Sequence, residues 1–328
     1  MLPTDQLVQK AITQTSNLQK LIPQIWAAEL ERNLRIRAVL QPSLVENTDL
    51  LAPNSGDTVY IPILPDFGTG SGGAPTQADL LTEGTDIVDI VMDNATSVPL
   101  VPAEYGKGVQ VSRKALDRIK YDGVAAVIDR LGYLMSRTIE SQIAGLGSKV
   151  VPGTAIKFAQ AYVGDANGNN VATSTTITAT NVMTDELILR GVMLLTQANN
   201  IPFPDGFYRI FISPKQYKDL MLDQNVRQDL RFGAPDKLFK GEVGALHNTR
   251  VIVTNSVVQS LEGAGSAVSV NNALMVAPRW AAIAWKRRPQ VVVDPTLYDY
   301  GRRRRFGVLA DFDIEPVHPE RAFVLKSA

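Results

Sequence analysis

The chain has 328 residues, 45% of them hydrophobic, with 33 basic and 33 acidic side chains and no cysteine. That length can hold more than one hydrophobic core, the lack of cysteine excludes disulfides and thiolate metal sites, and an even charge balance is not that of a nucleic-acid module. No run approaches the roughly 20 apolar residues of a membrane span, and the opening Met1-Leu-Pro-Thr-Asp-Gln6 lacks the basic and apolar regions of a signal peptide.

Residues 1–36 read as a polar N-terminal arm, with Leu7, Ile12, Leu18 and Leu21 widely spaced. From 39 to 105 there is no lysine or arginine, yet ten carboxylates: Glu46, Asp49, Asp57, Asp66, Asp79, Glu83, Asp86, Asp89, Asp93 and Glu104. The rest of the chain therefore carries a net charge of about +10. A block of one sign repels itself and weakens a compact fold. The glycine-rich centre, Gly68-Thr-Gly-Ser-Gly-Gly73, and the prolines from Pro42 to Pro102 leave the block without the makings of a core. It reads as an acidic arm that needs a partner surface, with the opposite charge supplied by the same chain. A solvated loop is the alternative.

Thr58–Leu64 is a predicted strand whose internal Pro62 points to a sheet edge. A second extended stretch runs from Asp86 to Val111, and the two make a long hairpin. Ten paired residues reach roughly 33 Å, and an isolated hairpin is marginal in water, so it must lie on something. The strongest helix signal follows: Val124, Ile128, Leu131, Met135, Ile139 and Ile143 recur at three- and four-residue steps and predict one buried face. The helix stops at Gly145-Leu-Gly147, and Gly123 and Gly132 allow close packing. A turn is expected at Asp165–Asn170, and a second helix from cap Thr184 to Asn199. Phe207–Ile212 reads as a buried strand, and Ser213-Pro214 opens a helix that runs to Leu222. Strands follow at Arg250–Thr254, Ala273–Ala277, Ala281–Trp285 and Gln290–Val293. A basic loop, Arg302 to Arg305, and extended segments to Lys326 complete the chain.

Chemistry is thin. His247 and His318 are the only histidines, 71 positions apart, and read as surface or turn hydrogen-bonding groups. Gly68-x-Gly70-x-x-Gly73 matches the dinucleotide fingerprint in letters, but Pro75 follows and no helix opens to face a pyrophosphate. Asp165-x-Asn167-x-Asn169 begins like a calcium loop but lacks its glycine and its closing glutamate. Asp311, Asp313 and Glu315 alternate on one strand face, which reads as solvated or paired with arginines rather than as a cation site. Arg302–Arg305 has no interleaved aromatics for base stacking, so an ionic contact with an acidic protein segment is favoured over nucleic acid.

The order of these elements resembles the tailed-bacteriophage major capsid proteins of the Hong Kong 97-type fold, an α+β fold. The resemblance is carried by the long hairpin, the long helix after Ser112-Arg-Lys-Ala-Leu116, and the stretches Phe211–Leu220, Gly241–Asn255 and Asn272–Trp285. It covers about residues 30–328. It implies an N-terminal arm (1–36), an extended loop (57–110), a peripheral domain (37–56, 111–182 and 277–310) holding a spine helix, and an apical domain (183–276 and 311–328). The function it implies is an icosahedral head enclosing double-stranded DNA, without catalysis, cofactor or metal. The partners it implies are copies of the chain itself in hexamers and pentamers, packaged DNA without sequence-specific contact, and no membrane. A portal, a decoration protein and a separate scaffolding protein are further expected partners, the last because fewer than 40 residues precede the fold. The location would be the virion, with assembly in the host cytoplasm. One member type links an extended-loop lysine to a neighbour's asparagine. This chain has no lysine between Lys20 and Lys107 and no asparagine after Asn272. An ionic contact of Asp79, Glu83 or Asp86 with Arg302, Arg303, Arg304 and Arg305 of an adjacent subunit is expected instead. A cellular nanocompartment shell of the same fold, and an enzyme with an unrecognised site, are the competing readings.

Overall fold

The computed structural model describes residues 39–46, 58–63, 96–118, 123–149, 159–162, 176–226, 244–294 and 299–328. In chain order these form β1 (Val45–Glu46), β2 (Val59–Ile63), β3 (Thr96–Leu100), β4 (Ala103–Ser112), α1 (Arg113–Arg118), α2 (Gly123–Gly145) and β5 (Ala159–Tyr162). Then come α3 (Asp185–Gln197), β6 (Tyr208–Ile212), α4 (Pro214–Leu222), β7 (Ala245–Leu246), β8 (Thr249–Val253) and β9 (Val258–Glu262). The long strands β10 (Val268–Val276), β11 (Ala281–Val293) and β12 (Arg303–Pro316), with β13 (Ala322–Ser327), finish the fold. The expected turn at 165–170, the glycine cluster at 68–73 and the residues of the N-terminal arm lie outside the described residues.

Two sheets organise the molecule. The first has the order β1-β11-β12-β4, and the second β5-β13-β10-β6-β8-β7 with β9 on β10. Helix α2 lies against one face of the first sheet. Its Leu131, Met135, Ile139 and Ile143 share a core with Ile283, Trp285, Phe306, Val308, Phe312 and Ile314. That core continues into the second sheet through Phe211, Leu274, Val276 and Val324, so α2 ties the two sheets together. The opposite face of the first sheet offers Ala282 and Ala284 to Val59, Val98 and Leu100 of the β2–β3 pair. Successive side chains of β11 point to opposite faces, and because both faces are covered there, every residue from Ala281 to Trp285 is buried.

The helix face differs from expectation at one end. Ile128 stays 36% exposed, while Leu131 and Met135 are each 3% exposed. The packed stripe descends through Val127, Leu131, Met135, Ile139 and Ile143 in steps of four, and Ile128 sits about 100° round the axis from it. Gly132 has open space where a Cβ would stand, so close packing does not explain it. The glycine that packing does explain is Gly191 on α3, where a Cβ would come within 2.7 Å of the Met275 sulfur on β10.

The second helix-opening signal is built as its letters suggest. Ser213 Oγ accepts the Gln216 N–H at 3.2 Å, and Gln216 Oε1 accepts the Ser213 N–H at 3.0 Å, a reciprocal cap with Pro214 in the first turn. Gln216 also donates to the Asn271 carbonyl and to Ser327 Oγ, so one buried amide joins α4 to β10 and β13. Thr184 holds the cap position of α3 without a side-chain bond. Asp223 Oδ2 accepts the Asp185 N–H in its place, at 2.9 Å.

Three strand expectations need correction. The stretch from Asp86 to Val111 is not one leg of a hairpin. Among the described residues only β3 pairs β2, and after Val101-Pro102 the chain enters the first sheet as β4, with Arg303 opposite Ser112 and Phe312 opposite Ala103. Ala281–Trp285 and Gln290–Val293 are one strand, β11, whose pairing shifts register around Arg287 while the strand carries Pro289 through. Arg303, Arg304 and Arg305 are not in a loop: they begin β12, which runs unbroken through residue 310, so an expected domain boundary falls inside a strand.

Candidate assembly surface

The arginine run lies where the first sheet outgrows its helix. Along β11, burial ends at Trp285, and Lys286 to Pro289 are exposed. On β12 the first three residues are exposed before Phe306 turns inward. Phe306, Val308, Ala310 and Phe312 face α2, so by strand alternation Arg304 shares the helix side while Arg303 and Arg305 stand on the opposite side. The expected four-arginine patch is thus split between two faces. The chain is held there by backbone: Asp294 N–H donates to the Arg305 carbonyl at 3.0 Å, and Arg113 N–H to the Arg302 carbonyl at 2.8 Å. The connecting turn carries Tyr300 (φ 53°), fully exposed, and Gly301 (φ 81°). The expected partners Asp79, Glu83 and Asp86 lie outside the described residues.

On the face of Arg303 and Arg305 runs an open groove of about 500 Å³ whose lining includes Gly106, Gly108, Gly307, Val292 and Leu309, with Asp294 and Arg305 as charged members. Gly108 and Gly307 are directly opposite each other across β4 and β12. Sequence reading passed over these glycines, because a Gly-x-Gly on one strand and a lone glycine two hundred residues later become neighbours only through the register.

The acidic strand face is largely buried and paired rather than solvated, and at Asp311 the partner is an arginine, as expected. Asp311 and Glu315 are 8% and 9% exposed. Arg287 approaches Asp311 at 3.6 Å, Lys149 meets Glu315 at 2.5 Å, and Asp313 accepts the Val101 N–H at 2.8 Å. Burial raises the Glu315 pKa above its usual value, against the pull of Lys149. Each carboxylate is therefore spent on positioning: Glu315 holds the segment after α2, and Asp313 fixes the point where β3 leaves for β4. His247, at the β7–β8 turn, puts Nε2 2.7 Å from Asp185 Oδ1, and His318 Nδ1 lies 3.0 Å from Glu320 Oε1, both as turn and surface hydrogen bonds. Among the described residues no group of three or more acidic or histidine side chains could hold a metal ion. No helix among them is long and apolar enough to cross a membrane.

A second anchoring point was also missed. Segment 39–46 is pinned by Glu140, by Trp280 Nε1 donating to Ser43 Oγ at 3.3 Å, by Arg209 donating to the Pro42 carbonyl, and by Arg288 pairing Glu46 at 3.1 Å. That segment is thereby fixed beside α2.

Among solved structures, the capsid of Ralstonia phage GP4 matches with a TM-score of 0.67 at 18% identity, over 93% of this chain and 94% of that one. The cyanophage Pam1 capsid matches with a TM-score of 0.71 at 15% identity, over 98% and 100%. The capsid of Helicobacter pylori bacteriophage KHP30 matches at 0.67 and 12% identity, over 98% and 99%. These likenesses show the fold. No curated protein matches the chain. The family model described as phage capsid protein matches residues 95–325, from the residue before β3 to within β13. With the fold and most of the sequence agreeing, the chain belongs to the phage capsid protein family.

Proposed function

We propose that copies of this capsid protein close into an icosahedral head that encloses double-stranded DNA, assembling through non-covalent contacts and without catalysis. The family match over residues 95–325 carries this reading. Charge supports the manner of assembly: ten carboxylates without a cation between 39 and 105, and a surplus of base elsewhere. In this reading the first sheet and α2 belong to the peripheral domain, the second sheet with α3 and α4 to the apical domain, and 57–110 to an extended loop ending at β4. Asp79, Glu83 or Asp86 of one copy meets Arg303 and Arg305 of the next. Exposed pairs contribute about 0–1 kcal/mol each and are screened beyond roughly 8 Å at physiological salt. Repetition over many equivalent interfaces is what gives such a pair its weight.

Sedimentation of the purified chain, alone and with a co-expressed scaffolding protein, tests this. Closed particles of hundreds of subunits are expected. A chain that remains a small oligomer under every assembly condition contradicts it.

A further inference from the structure

Three turns meet where the second sheet passes into the first. Residues 277–280 join β10 to β11, residues 317–321 join β12 to β13, and residues 198–202 follow α3. Backbone and side-chain bonds fix them to one another. The Ala277 N–H donates to the Arg321 carbonyl at 2.8 Å, and the Val317 N–H to the Trp280 carbonyl at 3.0 Å. Arg321 Nη1 donates to the Pro278 carbonyl at 3.4 Å, and Asn200 Nδ2 to the Glu320 carbonyl at 2.7 Å.

Arg279 sits on this corner at φ 62°. In that left-handed region a Cβ crowds the backbone, so glycine, asparagine or aspartate is the favoured occupant. Among the described residues six non-glycines share the positive sign. Asn199 and Asn248 are of the favoured kind, Ser266 is small, and His247 bonds Asp185. Tyr300 belongs to the turn before the arginine run. That leaves Arg279, which is exposed and has no hydrogen-bond or ion-pair partner among the described residues. Its neighbour Arg321, by contrast, lies 4.0 Å from Glu320. A strained side chain that its own subunit does not use points to a role outside the subunit. Ile201, on the same corner, is 79% exposed, more than any other large aliphatic residue described.

The pair indicates the kind of partner. A lone cation beside an aliphatic group does not suit a polyanion, whose binding is built from several phosphate contacts. The carboxylate of Glu320, on the same corner, also repels phosphate. The corner suits a protein surface that brings one carboxylate and an apolar contact, since arginine holds a carboxylate at two points. This chain carries such groups. Glu104 on β4 and Glu186 in the first turn of α3 are exposed and have no ion-pair partner among the described residues.

We propose that the three-turn corner bearing Arg279 and Ile201 is a contact surface for a second copy of this chain, with the Arg279 guanidinium pairing a carboxylate of that copy. This rests on the shell reading and adds a contact surface to it.

The test is Arg279→Gly in the full chain, read by subunit melting temperature and by particle yield. The change removes the side chain and its strain together, so a melting temperature equal to or above that of the wild type is expected, with yield down at least tenfold. A lower melting temperature means that the side chain serves its own subunit and overturns the proposal. Wild-type yield overturns it as well and leaves the shell reading in place, whereas failure of the wild type to form particles overturns both. A photo-crosslinking residue in place of exposed Ile201 gives an independent readout. Irradiated particles should show a covalent dimer on a denaturing gel; monomer alone overturns the proposal.

Discussion

The carboxylate of Glu140, toward the C-terminal end of α2, accepts the backbone N–H of Leu40 at 2.9 Å and that of Gln41 at 3.2 Å, joining positions a hundred residues apart. One side chain thus satisfies the donors of a short helical turn, Gln41–Ser43, whose own cap position offers no side-chain bond. The carboxylate is 5% exposed, so these bonds offset part of a desolvation cost. Glu140→Ala should cost about 1–3 kcal/mol, since it strands buried donors. It should also strip hydrogen-exchange protection from 40–46 while α2 keeps its own. Unchanged protection there would show that the neighbouring contacts suffice.

Burial raises the pKa of Glu140 above 4.5, opposed by its bonds to Leu40, Gln41 and Val39. A raised carboxyl pKa means the folded chain holds more protons than the unfolded chain between the usual and the raised value. Stability from this group is therefore present below that window and lost as pH rises through it. Glu315 and Asp219 are raised by burial as well and act in the same direction. Urea midpoints measured from pH 7 to pH 5 should show Glu140→Gln gaining less on acidification than the wild type. Parallel curves would mean that Glu140 does not titrate there.

Leu131, at 3% exposed, and Ile128, at 36%, sit on the same helix and give opposite expectations. Leu131→Ala should cost about 2–5 kcal/mol, and Leu131→Asp should abolish soluble expression. Ile128→Ala should cost less than about 1 kcal/mol. Chemical denaturation of the alanine pair checks the face directly; equal losses would place the packed stripe elsewhere.

The split of the arginine run makes its members separable. Arg303→Glu with Arg305→Glu should impair particle formation at low salt, and lysines at Asp79, Glu83 and Asp86 should partly restore it. Arg304→Glu, on the helix side, should assemble as the wild type does. Equal loss from Arg304 alone would contradict the division by face. Denaturing gels of mature particles should show one band at the monomer mass, since the lysine and asparagine of a covalent link are missing. A boiling-resistant ladder would overturn that.

Local signals were legible in the letters. Ser213-Pro214 and the three- and four-residue spacing along α2 depend on neighbours within a turn or two, where side-chain chemistry settles the outcome. Long-range pairing was not. That β4 leaves the hairpin to join β12 depends on partners two hundred residues away, and no local pattern encodes which strand lies opposite. The same limit hid the groove, because Gly108 and Gly307 become one feature only once the register is known. Arg302–Arg305 looked like a loop because four charges in a row mask the alternation that starts at Phe306. Ala281–Trp285 and Gln290–Val293 read as two strands, yet register shifts on either side of Arg287 carry one strand, β11, through Pro289.

Electron cryomicroscopy of particles purified from cells producing the protein, after nuclease treatment, tests the central claim most directly. The account predicts closed icosahedral shells in which Arg303 and Arg305 of each subunit meet a neighbour's acidic segment, with protected double-stranded DNA inside heads from a complete infection. Small open oligomers, or closed shells holding a protein cargo and no DNA even in infected cells, would contradict it.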